Sequence, residues 1–222
     1  MRGLFVTGTD TEVGKSVVAA AICAVLAARG EDVAAFKPVV TGLDEEPGEF
    51  GRDHELLARA AGSGQTPSEV APHSFGPPVS PHLASQVARV TIEPAELVAA
   101  ARGAARDRVL VCEGVGGLMV PITTGYLVRD LAVDLALPVV VAARPGLGTI
   151  NHTLLTVEAA RAAGLTVAGV VMTPWPDEPS AMERSNRETI ERLSGIGVSA
   201  LPPTSPDELA EAGASLPVDD WL

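Results

Sequence analysis

One segment near the N-terminus, residues 8–16, constrains the fold more than any other part of the chain. It reads GTDTEVGKS, follows a short apolar run at residues 4–6 and precedes a helix-forming run at residues 17–28. A strand, a glycine-punctuated loop ending in Gly-Lys-Ser and a helix together form a phosphate-binding loop, or P-loop. Such a loop points backbone N–H groups at one spot beside a helix N-terminus. The segment therefore predicts nucleotide binding, with Lys15 on the outer phosphates and the Ser16 hydroxyl on Mg²⁺.

The bulk composition favours one globular α/β domain spanning residues 1–222. The chain has 222 residues and is 46% hydrophobic but only 3% aromatic, so valine, leucine, isoleucine and alanine must build its core. A core of small branched side chains is typical of a buried parallel sheet between helices. The net charge of −12, without any basic cluster, is unfavourable for binding nucleic acid or an anionic membrane surface. We expect a protein that binds neither.

Two observations predict a cytoplasmic protein. Residues 1–3 lead directly into the first predicted strand without an apolar leader region, and no apolar run approaches the length of a membrane span. Cys23 and Cys112 fall in a predicted helix and a predicted strand, and neither has a partner cysteine in a motif or a basic neighbour. We therefore expect buried, reduced thiols.

Apolar runs of strand length alternate with helical patterns along the chain. The predicted strands are residues 4–7, 33–36, 109–112, 138–143, 167–172 and 198–201. The predicted helices are residues 15–29, 53–61, 94–106, 150–163 and 179–193. This alternation predicts a single-domain, three-layer α/β P-loop NTPase fold, in which helices cover both faces of a mainly parallel central sheet. The Pro-, Gly- and Ser-rich passage at residues 62–81 is long for a loop and forms either a lid or short helices.

Three polar residues stand near the carboxyl ends of predicted strands or in the loops beyond them, where ligands collect in such sheets. Lys37 follows the second strand, where it either stabilises charge on a transferred phosphoryl group or is simply solvated. Glu113 follows the strand at residues 109–112 and either completes a Mg²⁺ shell or lies in a surface turn. Asp53 lies in a polar stretch and is, from its own context, a helix cap or a solvated residue.

The segment 146–152, GLGTINH, follows another predicted strand. Thr149 and Asn151 are both placed to cap the helix that begins there, and backbone donors at that terminus suit a carboxylate. His152 is interpreted as a structural residue, because no cysteine or second histidine stands at metal-ligand spacing. We therefore expect no zinc site. The absence of a Gly-x-Ser-x-Gly elbow also gives no support to nucleophilic acyl chemistry.

Six motifs, in their order and approximate spacing, resemble those of the dethiobiotin synthetase family. They are residues 8–16 (GTDTEVGKS), 37–39 (KPV), 41–42 (TG), 80–82 (SPH), 113–117 (EGVGG) and 146–152 (GLGTINH). The first motif has five residues between its glycines where the general P-loop pattern has four, and this longer form is the family's own. The resemblance extends over the segment 3–172.

The resemblance implies an ATP-dependent ligase that closes the ureido ring of dethiobiotin in biotin biosynthesis. In that family 7,8-diaminopelargonic acid is first carbamylated by CO₂. The carbamate oxygen then takes the γ-phosphoryl group, and the second amine attacks the mixed anhydride and expels phosphate. Mg²⁺ is the implied cofactor, ATP the co-substrate and a homodimer the implied assembly. Two lysines and Mg²⁺ suit phosphoryl transfer, which consists mostly of charge stabilisation and positioning.

The resemblance also implies roles for particular residues of this chain. The triphosphate would be wrapped by Glu12, Val13, Gly14, Lys15, Ser16 and Val17. Lys37 would be the catalytic lysine, assisted by Lys15, while Mg²⁺ would be held by Ser16, Asp53 and Glu113. The substrate would meet Thr41, Gly116, Gly148 and Asn151. The last two belong to the segment that would receive the distal carboxylate at a dimer interface.

The C-terminal third departs from the family's pattern. Where the family often has an asparagine for the adenine edge, this chain has the segment 173–175, TPW, so the preference among nucleoside triphosphates stays open. Asn186 stands in place of a substrate-contacting tyrosine of some members. We expect a base-binding region within residues 172–222. The residues expected to bind the nucleotide there are Thr173, Pro174, Leu201, Pro202 and Pro203.

Three other functions share the loop. An ATPase of the partitioning or positioning type carries a second lysine five residues before the P-loop lysine, and here that position is Asp10. An amide-forming ligase acting on a cofactor precursor would not need Lys37 or the segment 148–152. A nucleotide-binding module without chemistry is the plainest alternative, and absence of turnover with the diamine would support it.

Overall fold

The chain folds around a central sheet flanked by helices, and the computed structural model describes residues 1–222. The strands are β1 (Gly3–Gly8), β2 (Val33–Phe36), β3 (Val39–Val40), β4 (His73–Ser74), β5 (Val109–Gly117), β6 (Pro121–Thr123), β7 (Tyr126–Leu127), β8 (Val139–Ala143), β9 (Val167–Met172) and β10 (Val198–Ala200). The helices are α1 (Lys15–Ala28), α2 (Asp53–Ala61), α3 (Pro67–Val70), α4 (Pro81–Ala88), α5 (Pro94–Ala104), α6 (Val128–Leu135), α7 (Thr149–Ala162), α8 (Ala181–Ser194), α9 (Leu209–Gly213) and α10 (Val218–Trp221).

Six parallel strands form the central sheet in the order β10-β9-β8-β1-β5-β2. β1, which leads into the P-loop, lies between β8 and β5. Two small two-stranded sheets, β3 with β4 and β6 with β7, lie outside it. Because parallel strands end at the same edge, the residues that follow β1, β2 and β8 share that edge with the last residues of β5.

Both faces of the sheet are covered. In β1, Leu4 and Val6 join one hydrophobic core and Phe5 joins the other, as the two-residue period of a strand requires. Helices α1, α2, α3, α9 and α10 contribute to the first core, and helices α4 to α8 contribute to the second. The predicted α/β architecture, with a mainly parallel sheet between two helical layers, is confirmed.

β2 is an edge strand, and residues 65–70 cover its open side. The Gln65 side chain accepts from the Ala35 N–H at 2.8 Å and donates to the Ala35 carbonyl at 3.1 Å. One residue beyond β2, the Lys37 N–H donates to the Val70 carbonyl at 2.9 Å. An amide side chain thus imitates a neighbouring strand. The backbone leading to Lys37 is held by β5 on one side and by this segment on the other.

The structure corrects two parts of the sequence prediction and decides between the alternatives for a third. The strand predicted to stop at residue 112 continues to Gly117 as β5, so Glu113 lies inside a strand rather than after it. The passage at residues 62–81 was predicted to form a lid or short helices; it contains one short helix, α3, and the short strand β4. Helices α4, α6, α9 and α10 were not predicted. The sequence does contain signals for α4 and α6: Ser80-Pro81 is a typical helix start, and α6 has apolar residues at helical spacing.

The C-terminal helices α9 and α10 pack into the core. Gly213 lies so close to α1 that a Cβ there would come within 2.5 Å of the Ala21 carbonyl oxygen. The Trp221 indole covers Gly169 of β9, where a Cβ would lie 2.8 Å from the ring. The predicted base-binding region, residues 172–222, thus includes two helices that pack against the rest of the fold, and its contact with a base stays a prediction.

The cysteines match the expectation from composition. Cys23 and Cys112 are both free and buried, and burial raises the pKa of each thiol. None of the helices has the length and apolarity that crossing a membrane requires.

Candidate active site

The P-loop presents a run of free backbone donors between β1 and α1. The N–H groups of residues 12–17 donate no hydrogen bond within the protein. Gly14, the N-cap of α1, has φ +84°, a left-handed conformation that glycine adopts without steric cost. Adjacent free donors at the positive end of a helix attract anions. This geometry supports phosphate binding by the predicted loop residues.

Lys15 reaches back across the same loop. Its side chain is buried, and its Nζ donates to the Asp10 carbonyl at 2.7 Å. Burial is the main reason that the pKa of Lys15 falls to about 8. A phosphate oxygen, being charged, is a stronger acceptor for an ammonium than a neutral carbonyl. Lys15 is thus held in the loop by a bond that an incoming phosphate can replace.

Lys37, Asp53 and Glu113 meet in an ion-pair cluster. The Lys37 Nζ lies 2.5 Å from Asp53 Oδ2 and 2.7 Å from Glu113 Oε1. Ser16 of α1 donates its hydroxyl to the same Glu113 Oε1 at 2.8 Å. The side chains of Lys37 and Glu113 are 4% and 0% exposed, whereas Asp53 is 42% exposed. The structure therefore brings the predicted catalytic lysine together with all three predicted metal ligands.

Burial and pairing oppose each other in this cluster. Burial alone would lower the pKa of Lys37, but Asp53 and Glu113 outweigh it and raise that pKa above its usual value. Burial also disfavours the Asp53 carboxylate, yet Lys37 brings its pKa down to about 2. For Glu113 burial dominates, and its pKa is raised despite Lys37. Lys37 therefore carries its charge at neutral pH.

Oxygen ligands suited to Mg²⁺ converge on this cluster. The Oε2 atom of Glu113 is buried without a hydrogen-bond partner, a costly state for a carboxylate oxygen. Ser16 and Asp53 add a hydroxyl and a second carboxylate. The chain has no group of three His, Cys, Asp or Glu side chains that would enclose a metal. Mg²⁺ needs no such enclosure, since it binds through one or two carboxylates, phosphate oxygens and water.

Lysine occurs nowhere else in the protein. Only two of its sixteen lysine and arginine residues are lysines, and these are Lys15 and Lys37. An ammonium is a compact point charge, whereas a guanidinium is planar and delocalised. Residue type and position therefore both distinguish these two cations from all the others.

The four predicted substrate residues form no hydrogen bond with the cluster. Thr41 follows β3, and Gly42 directly after it donates its N–H to the Pro77 carbonyl at 3.1 Å. Gly116 has φ +63°, and a Cβ there would lie 2.8 Å from the Val120 side chain. These two positions are constrained by their own surroundings, and their role toward a substrate stays a prediction.

The segment 146–152 begins helix α7 differently from the prediction. Gly148, at φ +91°, is the N-cap, and no side chain caps the helix, so capping by Thr149 or Asn151 is wrong. Thr149 is already the first helical residue and is buried, while Asn151 is exposed on the first turn. The N–H groups of residues 150 and 151 donate no hydrogen bond within the protein. These free donors support the prediction of a carboxylate at this terminus.

The two predicted base-binding segments lie together beside the P-loop. The Trp175 N–H donates to the Leu201 carbonyl at 2.8 Å, and the Leu201 N–H donates to the Met172 carbonyl at 2.9 Å. Thr173 is buried against Gly14, where a Cβ would come within 2.5 Å of the threonine methyl group. Pro174 is exposed, and of the residues after β10 Leu201 is buried, Pro202 half-buried and Pro203 exposed. Their contact with a base stays a prediction.

Two arginines that sequence patterns did not single out hold backbone at the site. Arg52, directly before Asp53, donates to three carbonyls within residues 42–45. Arg144, directly after β8, donates to the Glu12 carbonyl at 2.7 and 3.1 Å. Its place after a buried strand is a signal that predicts Arg144, whereas no local pattern marks Arg52.

Comparison with known proteins identifies the family. A family described as "AAA domain" matches residues 2–208. An ATP-dependent dethiobiotin synthetase of Anaeromyxobacter dehalogenans (strain 2CP-1) is 44% identical over 93% of this chain and 92% of its own length. The one of Bacillus subtilis subsp. natto is 36% identical over 91% of this chain and 87% of its own length. The one of Bacillus cereus (strain B4264) is 41% identical over 91% of this chain and 84% of its own length. The chain belongs to the dethiobiotin synthetase family.

Solved structures similar to this dethiobiotin synthetase family member support the fold. A ParA family ATPase of Chlorobium tepidum superposes with a TM-score of 0.56 at 13% identity, covering 97% of this chain and 90% of that one. The cell division ATPase MinD of Pyrococcus furiosus gives 0.55 at 16% identity, covering 96% and 89%. At such low identity the likeness shows the fold alone. It confirms the predicted P-loop NTPase fold.

Proposed function

We propose that this chain is an ATP-dependent dethiobiotin synthetase of biotin biosynthesis, a ligase that forms C–N bonds. It takes 7,8-diaminopelargonic acid, CO₂ and ATP, and it releases dethiobiotin, ADP and phosphate. The observation that carries the proposal is the buried Lys37 ammonium between Asp53 and Glu113, linked to the P-loop helix through Ser16. A relative that is 44% identical over 93% of this chain carries that activity in its name.

The reaction has three steps. One amine of the substrate adds to CO₂ and loses a proton, which gives a carbamate. A carbamate oxygen attacks the γ-phosphorus of ATP, ADP leaves, and a mixed carbamic–phosphoric anhydride forms. The second amine then attacks the carbamate carbon and loses a proton as the C–O bond to phosphate breaks and the ureido ring closes.

The chain's own residues stabilise charge in the phosphoryl-transfer step. The backbone N–H groups of residues 12–17 and the Lys15 ammonium hold the triphosphate. Lys37 meets the oxygens of the transferred phosphoryl group as a second cation. Because ion pairs hold Lys37 in place before any substrate binds, little reorganisation accompanies the reaction, which is the condition for strong electrostatic catalysis.

Mg²⁺ is assigned to Ser16, Asp53 and Glu113. The unpaired, buried Oε2 atom of Glu113 supports this assignment, because such an oxygen is costly unless a cation or a donor meets it. When bound, Mg²⁺ neutralises charge on the phosphate oxygens. Lys37 forms ion pairs with both of these carboxylates.

The remaining predicted residues are divided between the substrate and the base. Thr41 and Gly116 are assigned to the substrate, with Thr41 near the carbamate. Gly148 and Asn151 are assigned to its distal carboxylate, which the free N–H groups at the start of α7 suit. They act across a homodimer interface, and Leu147 beside them is 92% exposed. Light scattering after size exclusion tests this assembly: a mass near 23 kDa instead of twice the 22.7 kDa chain would refute it.

The charge of the protein supports the small-molecule assignment. A net charge of −12 disfavours binding to nucleic acid and to anionic membranes. A cytoplasmic location stays a prediction. Base contacts are assigned to Thr173, Pro174, Leu201, Pro202 and Pro203, and the nucleotide preference depends on them.

Product formation tests the function directly. The purified protein is incubated with 7,8-diaminopelargonic acid, bicarbonate and Mg²⁺, with ATP, CTP and GTP in parallel, and dethiobiotin is quantified by mass spectrometry. We expect product with the wild-type protein, none with Lys37→Ala, and wild-type amounts with the control Arg161→Met. The Arg161 guanidinium donates to the carbonyl of Ser194 at the end of α8 and forms no hydrogen bond with the cluster. Nucleotide binding without dethiobiotin from any triphosphate would refute the synthetase and favour a switch ATPase or a different ligase.

A further inference from the structure

The P-loop contains a residue in a conformation that its side chain disfavours. Glu12 has φ +53°, and it is one of three non-glycine residues in the protein with positive φ. For an L-residue the left-handed region costs roughly 1–2 kcal/mol, because Cβ approaches the following carbonyl oxygen. Such a conformation persists only where its surroundings hold it. The side chain of Glu12 is 89% exposed, so packing of that side chain does not hold it.

A guanidinium holds this turn instead. Arg144 donates from Nη2 and Nε to the Glu12 carbonyl oxygen, at 2.7 and 3.1 Å. Its Nη2 lies 3.8 Å from the Glu12 carboxylate, which is too far for a hydrogen bond. Two donors on one carbonyl oxygen define the direction of that peptide group. The contact is therefore with the loop backbone.

The base of Arg144 is itself fixed relative to the loop. Arg144 directly follows β8, whose register with β1 runs from the Phe5–Val139 pair to the Gly8–Ala142 pair. The Thr9 N–H then donates to the Ala142 carbonyl at 3.0 Å. Because β1 and β8 are hydrogen-bonded neighbours, the loop after β1 and the arginine after β8 lie side by side.

Peptide geometry carries the effect of this contact to the next residue. In a planar trans peptide the N–H points opposite to the C=O. The N–H of Val13 is therefore directed away from Arg144 as long as the Glu12 carbonyl is held by it. That N–H donates no hydrogen bond within the protein, and it lies in the run of free donors assigned to the triphosphate.

We propose that Arg144 is a positioning residue of the phosphate-binding loop: it holds the left-handed turn at Glu12 and thereby aims the Val13 N–H at the nucleotide phosphates. It acts through the loop backbone and touches no phosphate. The role assigned to Arg144 rests on the proposed nucleotide binding, and it is independent of which acceptor the phosphoryl group reaches.

Nucleotide affinity measured without the diamine tests this role. Dissociation constants for ADP and ATP are determined by calorimetry for wild type, Arg144→Met and Arg161→Met, at low and high salt. The control arginine likewise donates to a carbonyl, that of Ser194. We expect Arg144→Met to weaken the binding of ADP and of ATP equally, by about tenfold at both salt concentrations. That is the size expected for loss of one charge-assisted hydrogen bond, the one from the Val13 N–H to a phosphate. Arg161→Met should change neither constant by more than about twofold.

A double substitution separates the turn from the charge. Glycine adopts positive φ without a Cβ clash, so Arg144→Met should cost less affinity in a Glu12→Gly background than in wild type. In steady state Arg144→Met should raise the KM for ATP and leave kcat and the KM for the diamine nearly unchanged. A merely structural role would instead lower the thermal midpoint, lower kcat and raise the KM values for both ATP and the diamine.

The outcomes are distinguishable from failure of the proposed function. Unchanged nucleotide affinity in Arg144→Met overturns the role of Arg144. A loss confined to ATP, or one that vanishes at high salt, also overturns it, because that pattern indicates a direct contact with the γ-phosphate. An equal loss of nucleotide affinity on adding Arg144→Met to the Glu12→Gly variant likewise overturns the role of Arg144. If the wild-type protein binds neither nucleotide, the proposed function itself fails.

Discussion

The P-loop and the Lys37 cluster lie at the same edge of the sheet, but they use different groups: the loop uses backbone N–H groups, and the cluster uses charged side chains. The loop uses backbone N–H groups from one continuous segment, residues 12–17. The cluster uses side chains from distant parts of the chain: Asp53 and Glu113 both contact Lys37 and lie 16 and 76 residues from it in sequence. The loop is a local structure and the cluster a product of the whole fold. The two regions should therefore respond differently to substitution.

Burial sharpens this contrast. The cluster holds a lysine and a glutamate that are almost fully buried, so loss of one charge leaves the other without compensation. The loop offers several adjacent backbone N–H groups without partners in the protein, and loss of one donor among them is a smaller change. We expect the cluster to couple catalysis to folding stability, whereas the loop couples backbone conformation to nucleotide affinity.

The largest expected effect is that of Lys37→Met. Turnover should fall by about 10³-fold or more, the range for a cation that stabilises phosphoryl transfer. The free energy of unfolding should fall by up to about 3 kcal/mol, because Glu113 loses its partner. Dethiobiotin formation and urea unfolding measure the two quantities. The double variant Lys37→Met/Glu113→Gln should regain much of the stability and none of the turnover; recovery of turnover would contradict the catalytic role.

Next in size is Gly14→Ala, which tests the loop backbone. Gly14 and Gly30 share φ +84°, but a Cβ at Gly14 meets the Thr173 methyl group at 2.5 Å, whereas Gly30 has open space. Gly30→Ala should cost about 1 kcal/mol of stability and no nucleotide affinity. Gly14→Ala should also weaken ATP binding by about tenfold or more, because the loop must shift.

Thr173→Ser sharpens the same experiment. It removes the methyl group that the new Cβ would meet, so the double variant Gly14→Ala/Thr173→Ser should bind ATP better than Gly14→Ala alone. Calorimetric titration with ATP measures both. Equal affinities in Gly14→Ala and Gly30→Ala would mean that the loop tolerates displacement and that its geometry is not decisive.

Asp53→Asn should have an effect of intermediate size, and the effect should be on the Mg²⁺ concentration that turnover requires. Asp53 is the exposed member of the cluster, and its carboxylate is assigned to Mg²⁺. The Mg²⁺ concentration for half-maximal turnover should rise by about tenfold or more, as is usual when a metal site loses a carboxylate or its support. The control Glu55→Gln alters an exposed residue of the same helix, α2. If both variants show the same Mg²⁺ dependence as wild type, Asp53 is not a ligand.

Gln65→Ala should have the smallest effect on function, and its main effect should be on the free energy of unfolding. Its side chain satisfies the N–H and C=O of Ala35 on the edge strand that leads to Lys37. We expect a loss of about 1–2 kcal/mol in the free energy of unfolding, a modest fall in turnover and unchanged ATP affinity. Gln86→Ala, at an exposed position of α4, is the matched control. A fall in ATP affinity with Gln65→Ala would show that the two regions are less separate than their construction indicates.

The sequence alone was sufficient for the loop and for the class of fold. The run 8–16 between an apolar strand and a helix specifies local backbone geometry, and the structure has the loop and its neighbouring elements there. Alternating apolar runs likewise predicted the six strands of the central sheet, although β5 runs on past Cys112 to Gly117. These features depend on residues close together in the chain, which is where propensity and periodicity are informative.

Only the tertiary structure decided how distant residues meet. Taken alone, Asp53 was predicted to be a helix cap or a solvated residue. The cap is wrong, because Arg52 is the N-cap of α2 and Asp53 is its first helical residue. Asp53 pairs with Lys37 because α2 packs against β2. Arg52 and Gln65 carry no local signal, and Arg144 carries only its place directly after β8. Each donates to or accepts from backbone groups that lie at least seven residues away in the chain. A carbonyl or an edge strand that needs a donor is defined by three-dimensional packing. The chain thus encodes its phosphate-binding loop locally, while the charges that complete the site are brought together by the sheet.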